Sequence, residues 1–228
     1  MAPEYGATTG YFPWSKGTAD YFQKTGRDSV LPTNILVELG LVAESGPASS
    51  IVYDERYTID LSMVTASAAG PKQPEQLVPI NKLSTKFEDC LANKDPRIGF
   101  GVTDFPFPEE TLFRHGIVNL AAITSCTSTS NVEAMITAGL VAKKAVELGL
   151  EVPWWVKTSL GAGSQTVKHY LEATGLQTYL DTLGFNHVGF GCTTCIGNSG
   201  PLSDEVLSEL SKTPNVINVS VLSGNRNF

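Results

Sequence analysis

The sequence predicts an α/β protein built as two small three-layer α/β/α lobes with mainly parallel sheets. Three observations lead there. From residue 116 onward, apolar strand-like runs alternate with amphipathic helical stretches, and repeated strand–helix–strand units imply parallel strands joined by right-handed crossovers. Four polar segments, "SCTSTS", "SLGAGS", "GCTTCIGNSG" and "SGNRNF", each follow a predicted strand, so they converge on the one rim where an open parallel sheet collects its carboxyl ends. Finally, a chain of 228 residues is comfortable for two small domains. The proline- and charge-rich stretch 70–112 between them reads as a connection. The expected division is 1–72, 73–112 and 113–228.

Taken in order, "GTADYFQKTGR" and "SVLPTNILVELGLVAE" have helical patterning, and "RYTIDLSMV" (56–64) reads as a strand. In the second lobe "GIVNLAAIT" (116–124) is a buried-strand run. The helix that follows is predicted to start on a capping box from Ser130 to Glu133 and to stop at Gly149. "VPWWVKTS" (152–159) is the next expected strand. "SQTVKHYLEATGLQTYLDTLG" is helical with a break near Gly175, and "NHVGF" (186–190) is a short strand. "SDEVLSELSK" is a helix capped by Ser203, and "NVINVSVL" (215–222) is the last strand.

Composition bounds the function. Hydrophobic residues make up 42% and charged residues 17%, as in ordinary globular chains, and the net charge is −7 with no lysine or arginine run. Nucleic acid and anionic membranes are therefore poor default partners. No apolar run approaches the ~20 residues of a membrane helix, and the start "MAPEYGATTGYFPW" lacks the pattern of a secretory leader. Four cysteines are too few for a disulfide scaffold, which points to thiols used for a metal or for redox work.

The cysteines leave three readings open. Cys192 and Cys195 stand as C-x-x-C, a spacing shared by disulfide reductases, although "IGNSGP" is too rich in turn formers to open a helix directly behind them. Structural zinc needs four ligands, and Cys90, in "KFEDCLAN", is expected to be an ordinary free thiol. Thiolates from Cys126, Cys192 and Cys195 suit an iron–sulfur cube with one open iron, a Lewis acid for hydroxyl and carboxylate groups. The histidines His115, His169 and His187 lie outside these motifs and are expected to be structural.

The motifs "AAITSCTSTSN", "AGLVAKKAVELGL", "VKTSLGAGSQTVKHYLEATGL", "GFGCTTCIGNSGPL" and "SVLSGNRNF" resemble the iron–sulfur region of the aconitase family. "MAPEYGATTGYFP" and "TGR" resemble its preceding segment, and "IDLSMVTASAAGPKQPEQ" its mid-region. The resemblance covers essentially the whole chain and is greatest to the branch with bacterial aconitase A and the cytosolic aconitase/iron regulatory protein.

It implies the iron–sulfur domain type of α/β fold, with a [4Fe-4S] cluster held by Cys126, Cys192 and Cys195 in the lobe 113–228. It implies a hydro-lyase that interconverts citrate and isocitrate through cis-aconitate. Asn225 matches an asparagine beside the cluster, Glu4 a glutamate at the hydroxyl or water on the open iron, and Arg226 an arginine that binds a substrate carboxylate. Two further readings are a relative acting on 2-methylcitrate and a non-catalytic, iron-sensing protein or degenerate fragment. Ser128 stands where the family has an asparagine, which changes a polar group near the cluster. The chain covers the central portion of the family pattern only, so the implied partners are a tricarboxylate and the remaining aconitase domains, without membrane or RNA. The implied location is the cytoplasm, or the mitochondrial matrix in a eukaryote.

Overall fold

The structure is a computed structural model that describes residues 6–42, 52–73, 75–102, 113–124, 131–191 and 200–224. It divides into two compact units, 1–64 and 65–228.

In the first unit, helix α1 (Lys16–Lys24) starts where the Ser15 hydroxyl accepts from the Thr18 N–H at 3.3 Å. Helix α2 (Val30–Glu38) follows. Trp14 ties them together. Its indole packs edge-on against Phe22 with ring centroids 5.0 Å apart, and its N–H donates to the Thr33 hydroxyl at 2.9 Å. The strand expected over 56–64 is not formed. Asp60 instead accepts from both the backbone N–H and the hydroxyl of Ser62, and Leu61–Met63 closes as a 3-10 turn. Short polar side chains compete with ladder formation in this way.

The second unit begins at Thr65, ahead of the stretch 70–112 read as a connection, and includes the described part of that stretch. Strands β1 (Ser67–Ala69) and β2 (Leu77–Pro79) form an antiparallel hairpin, and helix α3 (Leu83–Ala92) buries Cys90 and Leu91. The Lys72 ammonium donates to the carbonyls of Pro96 and Gly99 at 2.6 and 2.8 Å, fastening the hairpin to the loop beyond α3.

The main sheet has four parallel strands: β3 (Val118–Thr124), β4 (Lys157–Ala162), β5 (His187–Phe190) and β6 (Val219–Leu222), in spatial order β5-β4-β3-β6. Helix α4 (Val132–Glu147) links β3 to β4, α5 (Gln165–Ala173) and α6 (Gln177–Thr182) link β4 to β5, and α7 (Asp204–Lys212) links β5 to β6. The first two crossovers step one way along the sheet and the third steps back past β4 and β3. Right-handed crossovers therefore put α7 on the opposite face from α4–α6.

Side-chain packing agrees with that division. Leu160 and Ala162 of β4 join Met135, Ala142, Val167, Leu171, Leu176 and Leu180 in one buried cluster, with Ile123 packed against it. On the other face Lys157 donates to the Pro201 carbonyl at 2.8 Å, just ahead of α7. Ser203 caps α7 as expected, accepting from the Val206 N–H.

Three boundaries differ from the sequence reading. The α4 cap is Asn131, whose side chain accepts from the Ala134 N–H at 3.1 Å, whereas Ser130 lies outside the described residues. β4 starts at Lys157 because Pro153 closes a turn, the Val156 N–H donating to its carbonyl at 2.9 Å. "SLGAGS" is consequently mostly strand, not loop: Ser159 to Ala162 are buried, and Leu160 and Gly161 pair with both neighbouring strands. β6 likewise starts late, after a turn in which the Val216 N–H donates to the Thr213 carbonyl.

Candidate functional site at the carboxyl rim

The direction change in the chain path occurs between β3 and β6. In open α/β sheets the crevice beyond the carboxyl ends at such a point is where ligands bind. The register shows how level this rim is. Thr124 of β3 is opposite Gly161, Gly161 is opposite Gly189, Ala162 is opposite Phe190, and Ala122 is opposite Leu222. Neighbouring strands lie about 4.8 Å apart, so β3 and β5 are separated by roughly 10 Å.

Beyond the last ladder pairs, two contacts hold the rim together. The Gly191 N–H donates to the Ala162 carbonyl at 2.7 Å, extending β5 along β4. At β6 the Ser223 N–H donates to the Ala122 carbonyl at 3.1 Å, and the side chain then takes over from the backbone. The Thr124 N–H donates to Ser223 Oγ at 2.7 Å, and the Ser223 hydroxyl donates to the Thr124 carbonyl at 2.6 Å. Both backbone groups of Thr124 that face β6 are thereby satisfied by one hydroxyl. At the amino ends, the Ile217 N–H donates to His115 Nδ1 at 3.0 Å, so β3 and β6 are tied at both ends.

Thr124 is 4% exposed and Ser159 3% exposed, and neither side-chain hydroxyl has a hydrogen-bond partner. Because Ser159 is opposite Ala122, and residues two apart share a face, both hydroxyls stand on the face away from the α4–α6 cluster. Neither residue was singled out in the sequence. A threonine ending an apolar strand run gives no local signal, and Ser223 was read only as part of a rim segment.

The candidate residues Glu4, Cys126, Cys192, Cys195, Asn225 and Arg226, and also Ser128, lie outside the described residues. Their described neighbours in sequence are rim residues: Thr124 stands two positions before Cys126, Gly191 directly before Cys192, and Gly224 directly before Asn225. Among the described residues no group of three or more His, Cys, Asp or Glu side chains converges. Cys90 is buried in α3, and burial pushes its thiol pKa up. His115 and His187 are both held below the ordinary imidazole pKa, chiefly by burial. His187 stacks on Phe190 at 5.8 Å between ring centroids, and neither of its ring nitrogens has a hydrogen-bond partner.

Residues 1–228 match the family model described as "Aconitase family (aconitate hydratase)". The chain belongs to the aconitase family. Among curated aconitase-family relatives it is 46% identical over 243 residues to aconitate hydratase A of Bacillus subtilis, strain 168. It is 45% identical over 242 residues to the enzyme of that name from Thermus thermophilus and 47% identical over 236 residues to that of Legionella pneumophila. Each alignment covers 100% of this chain and 26% of the relative, so the chain spans about a quarter of the length of these aconitases.

Proposed function

We propose that this chain is the cluster-binding part of an aconitate hydratase, a hydro-lyase interconverting citrate and isocitrate through cis-aconitate. The observation that carries the reading is the junction of Thr124 with Ser223. It fixes side by side the two strand ends from which the chain continues toward Cys126 and toward Asn225 and Arg226. Gly191, bonded to β4, brings the residue before Cys192 to the same rim. The three curated relatives compared above bear the name aconitate hydratase A and favour this reaction over that of a 2-methylcitrate relative.

The donor set fits an iron–sulfur group. Three thiolates, Cys126, Cys192 and Cys195, match its preference for soft ligands, and the partnerless Thr124 hydroxyl is a buried donor two residues from the first of them. When bound, a [4Fe-4S] cluster with three protein ligands supplies a Lewis-acidic iron for a hydroxyl and a carboxylate. The other residues supply positioning. Asn225 donates its amide beside the cluster. Arg226 grips a substrate carboxylate through its planar, permanently charged fork. Glu4 holds the proton of the hydroxyl that leaves or returns as water. In this reading 1–72 is a partial α/β lobe, 73–112 connects, and 113–228 binds the cluster. The groups that remove the carbon-bound proton belong to the parts of the longer relatives that this chain does not match. Those parts and a tricarboxylate are its partners, and the cytoplasm is its location. No helix among the described residues is long and apolar enough to cross a membrane.

Anaerobic reconstitution with iron and sulfide tests the assignment. The expected result is about four irons per chain, as a [4Fe-4S] group requires, abolished in Cys192→Ser. Retention of the same cluster by Cys192→Ser overturns the ligand set, and tight stoichiometric zinc without iron uptake overturns the cluster. Hydration of cis-aconitate should need addition of the remaining aconitase domains. A reconstituted mixture that binds the cluster but never turns over favours a non-catalytic, iron-sensing role.

A further inference from the structure

We infer that residues 57–63 are a docking strand, which pairs with an open sheet edge in the part of an aconitate hydratase that this chain does not match. The inference rests on the reading above, in which those parts are partners of the chain, and it names the segment that meets them.

The sequence carries the first ground. From Arg56 to Met63 polar and apolar residues alternate without a break: Tyr57, Ile59, Leu61 and Met63 are apolar, and Arg56, Thr58, Asp60 and Ser62 stand between them. Strict alternation of this length specifies a strand with one buried face, because successive side chains point to opposite sides. A turn or a solvated loop has no need of that pattern.

The structure carries the second ground. Tyr57, Ile59, Leu61 and Met63 are 76–80% exposed. Among the described residues the hydrogen bonds of the segment are local. The Tyr57 hydroxyl donates to Glu55, Asp60 accepts from Ser62, and the Met63 and Val64 N–H groups donate to the carbonyls of Asp60 and Leu61 at 3.1 and 3.2 Å. Of the described residues in the unit 1–64 only Ser29 is buried, so they offer these four side chains no core to pack against. Helix α2 is also exposed and apolar, but only the segment 57–63 puts its apolar residues on a single strand face.

The third ground is the partner. A lone strand is completed by an edge that presents unpaired N–H and C=O groups. Main-chain hydrogen bonds then supply affinity, and pockets for alternate side chains supply specificity. Each relative aligns with all of this chain over only 26% of its own length, so in those proteins the matching segment is accompanied by further polypeptide amounting to nearly three-quarters of the whole. The partner edge therefore carries an apolar surface on the side of Tyr57, Ile59, Leu61 and Met63 and leaves Arg56, Thr58, Asp60 and Ser62 toward water. The turn at Leu61–Met63, which depends on the exposed Asp60 side chain, opens when that edge supplies ladder bonds.

Hydrogen exchange read by mass spectrometry tests this in three proteins. They are this chain alone, the Bacillus subtilis aconitate hydratase A with its matching quarter replaced by residues 1–228, and the unaltered Bacillus subtilis enzyme. The peptide 56–64 should exchange nearly as fast as an unstructured peptide in the lone chain and roughly a hundredfold slower in the chimaera. The aligned peptide of the unaltered enzyme should also be slow, which keeps the test decisive where the chimaera fails to fold. In the chimaera Ile59→Lys should restore fast exchange and Thr58→Lys should not. In the lone chain both variants should unfold at the wild-type urea concentration, as exposed substitutions do. Fast exchange in the unaltered enzyme or in the folded chimaera overturns the inference. Protection that survives Ile59→Lys, or that Thr58→Lys removes equally, overturns the one-faced docking. Slow exchange in the lone chain also overturns it, in favour of a second copy where dilution restores the fast rate and of a partner within the chain where it does not. Failure of the lone chain to assemble a cluster overturns the cluster reading and leaves these exchange rates where they are.

Discussion

Ser223 substitutes its side chain for a missing rung of the sheet, accepting from the Thr124 N–H at 2.7 Å and donating to the Thr124 carbonyl at 2.6 Å. The ladder between β3 and β6 therefore continues one step past the point where the β6 backbone departs. In sequence, Cys126 follows Thr124 by two positions, and Asn225 and Arg226 follow Ser223 by two and three.

Removing that rung should be measurable. Ser223→Ala leaves two backbone groups of the buried Thr124 without a protein partner. Ser223 is itself exposed, so water replaces part of the loss. The expected cost is about 1–2 kcal/mol, read as a lower urea midpoint at an unchanged slope. Ser223→Thr, which keeps the hydroxyl, should stay within about 0.5 kcal/mol of wild type, as ordinary exposed substitutions do. An unchanged midpoint in Ser223→Ala would mean the side-chain rung contributes nothing.

The contact between α4 and α6 is set by Gly139. A Cβ added there would lie 2.8 Å from Leu176 Cβ and 3.0 Å from Leu176 Cδ1. Overpacking costs about 1–3 kcal/mol, while the gain in helix propensity returns about 1. Gly139→Ala should therefore destabilise by up to about 2 kcal/mol. Leu176→Ala removes Cδ1 and Cγ but keeps the Cβ at 2.8 Å, so the double variant should relieve part of the clash and be somewhat more stable than the sum of the two single changes predicts. Additive losses would show that the helices separate freely and that Gly139 does not limit their approach.

Stability should fall on mild acidification. His115 and His187 have imidazole pKa values lowered by burial, so below about pH 6.5 the unfolded chain binds more protons than the folded one. That makes stability rise with pH across the interval. The penalty sets in as pH drops through the unfolded value and grows down to the depressed folded values. His115 has a second reason to stay neutral, since its Nδ1 accepts from the Ile217 N–H and a protonated ring could not. Denaturation midpoints at pH 7.5 and 5.5 test this. Replacing both histidines by neutral, uncharged residues should flatten that difference, and an equally steep fall in the double variant would assign it to other groups.

Helices were read from the sequence more faithfully than strands, for a local reason. Ser203 caps α7, and Gly149 and Gly175, with φ of +72° and +70°, end α4 and separate α5 from α6 as their positions suggested. These signals act over one helical turn. The start of β4 was misread because Trp154 and Trp155 look like strand residues while Pro153 turns the backbone beneath them. "SLGAG" was misread because small residues mark loops by composition, yet here they line a central strand buried on both faces. The helix holding Cys90 and Leu91 was hidden in a stretch rich in proline and charge. Cys126, Cys192, Cys195, Asn225 and Arg226 stood out because whole motifs surround them. Thr124 and Ser223 did not, because their meaning comes from a contact across 99 residues that no local pattern encodes.

The strand order also sets a timetable. At roughly 5–20 residues per second of synthesis, the 99 residues from Ser125 through Ser223 take about 5–20 s to be made. Meanwhile β3, β4 and β5 can pair with their crossover helices already in place, leaving one side of β3 as an open edge with unpaired amides and carbonyls. The nascent protein thus passes through an interval in which its most adhesive surface is the border later closed by β6. Holding chaperones and low temperature should raise soluble yield most during that interval, and a synthetic peptide spanning 215–224 should compete for the same edge.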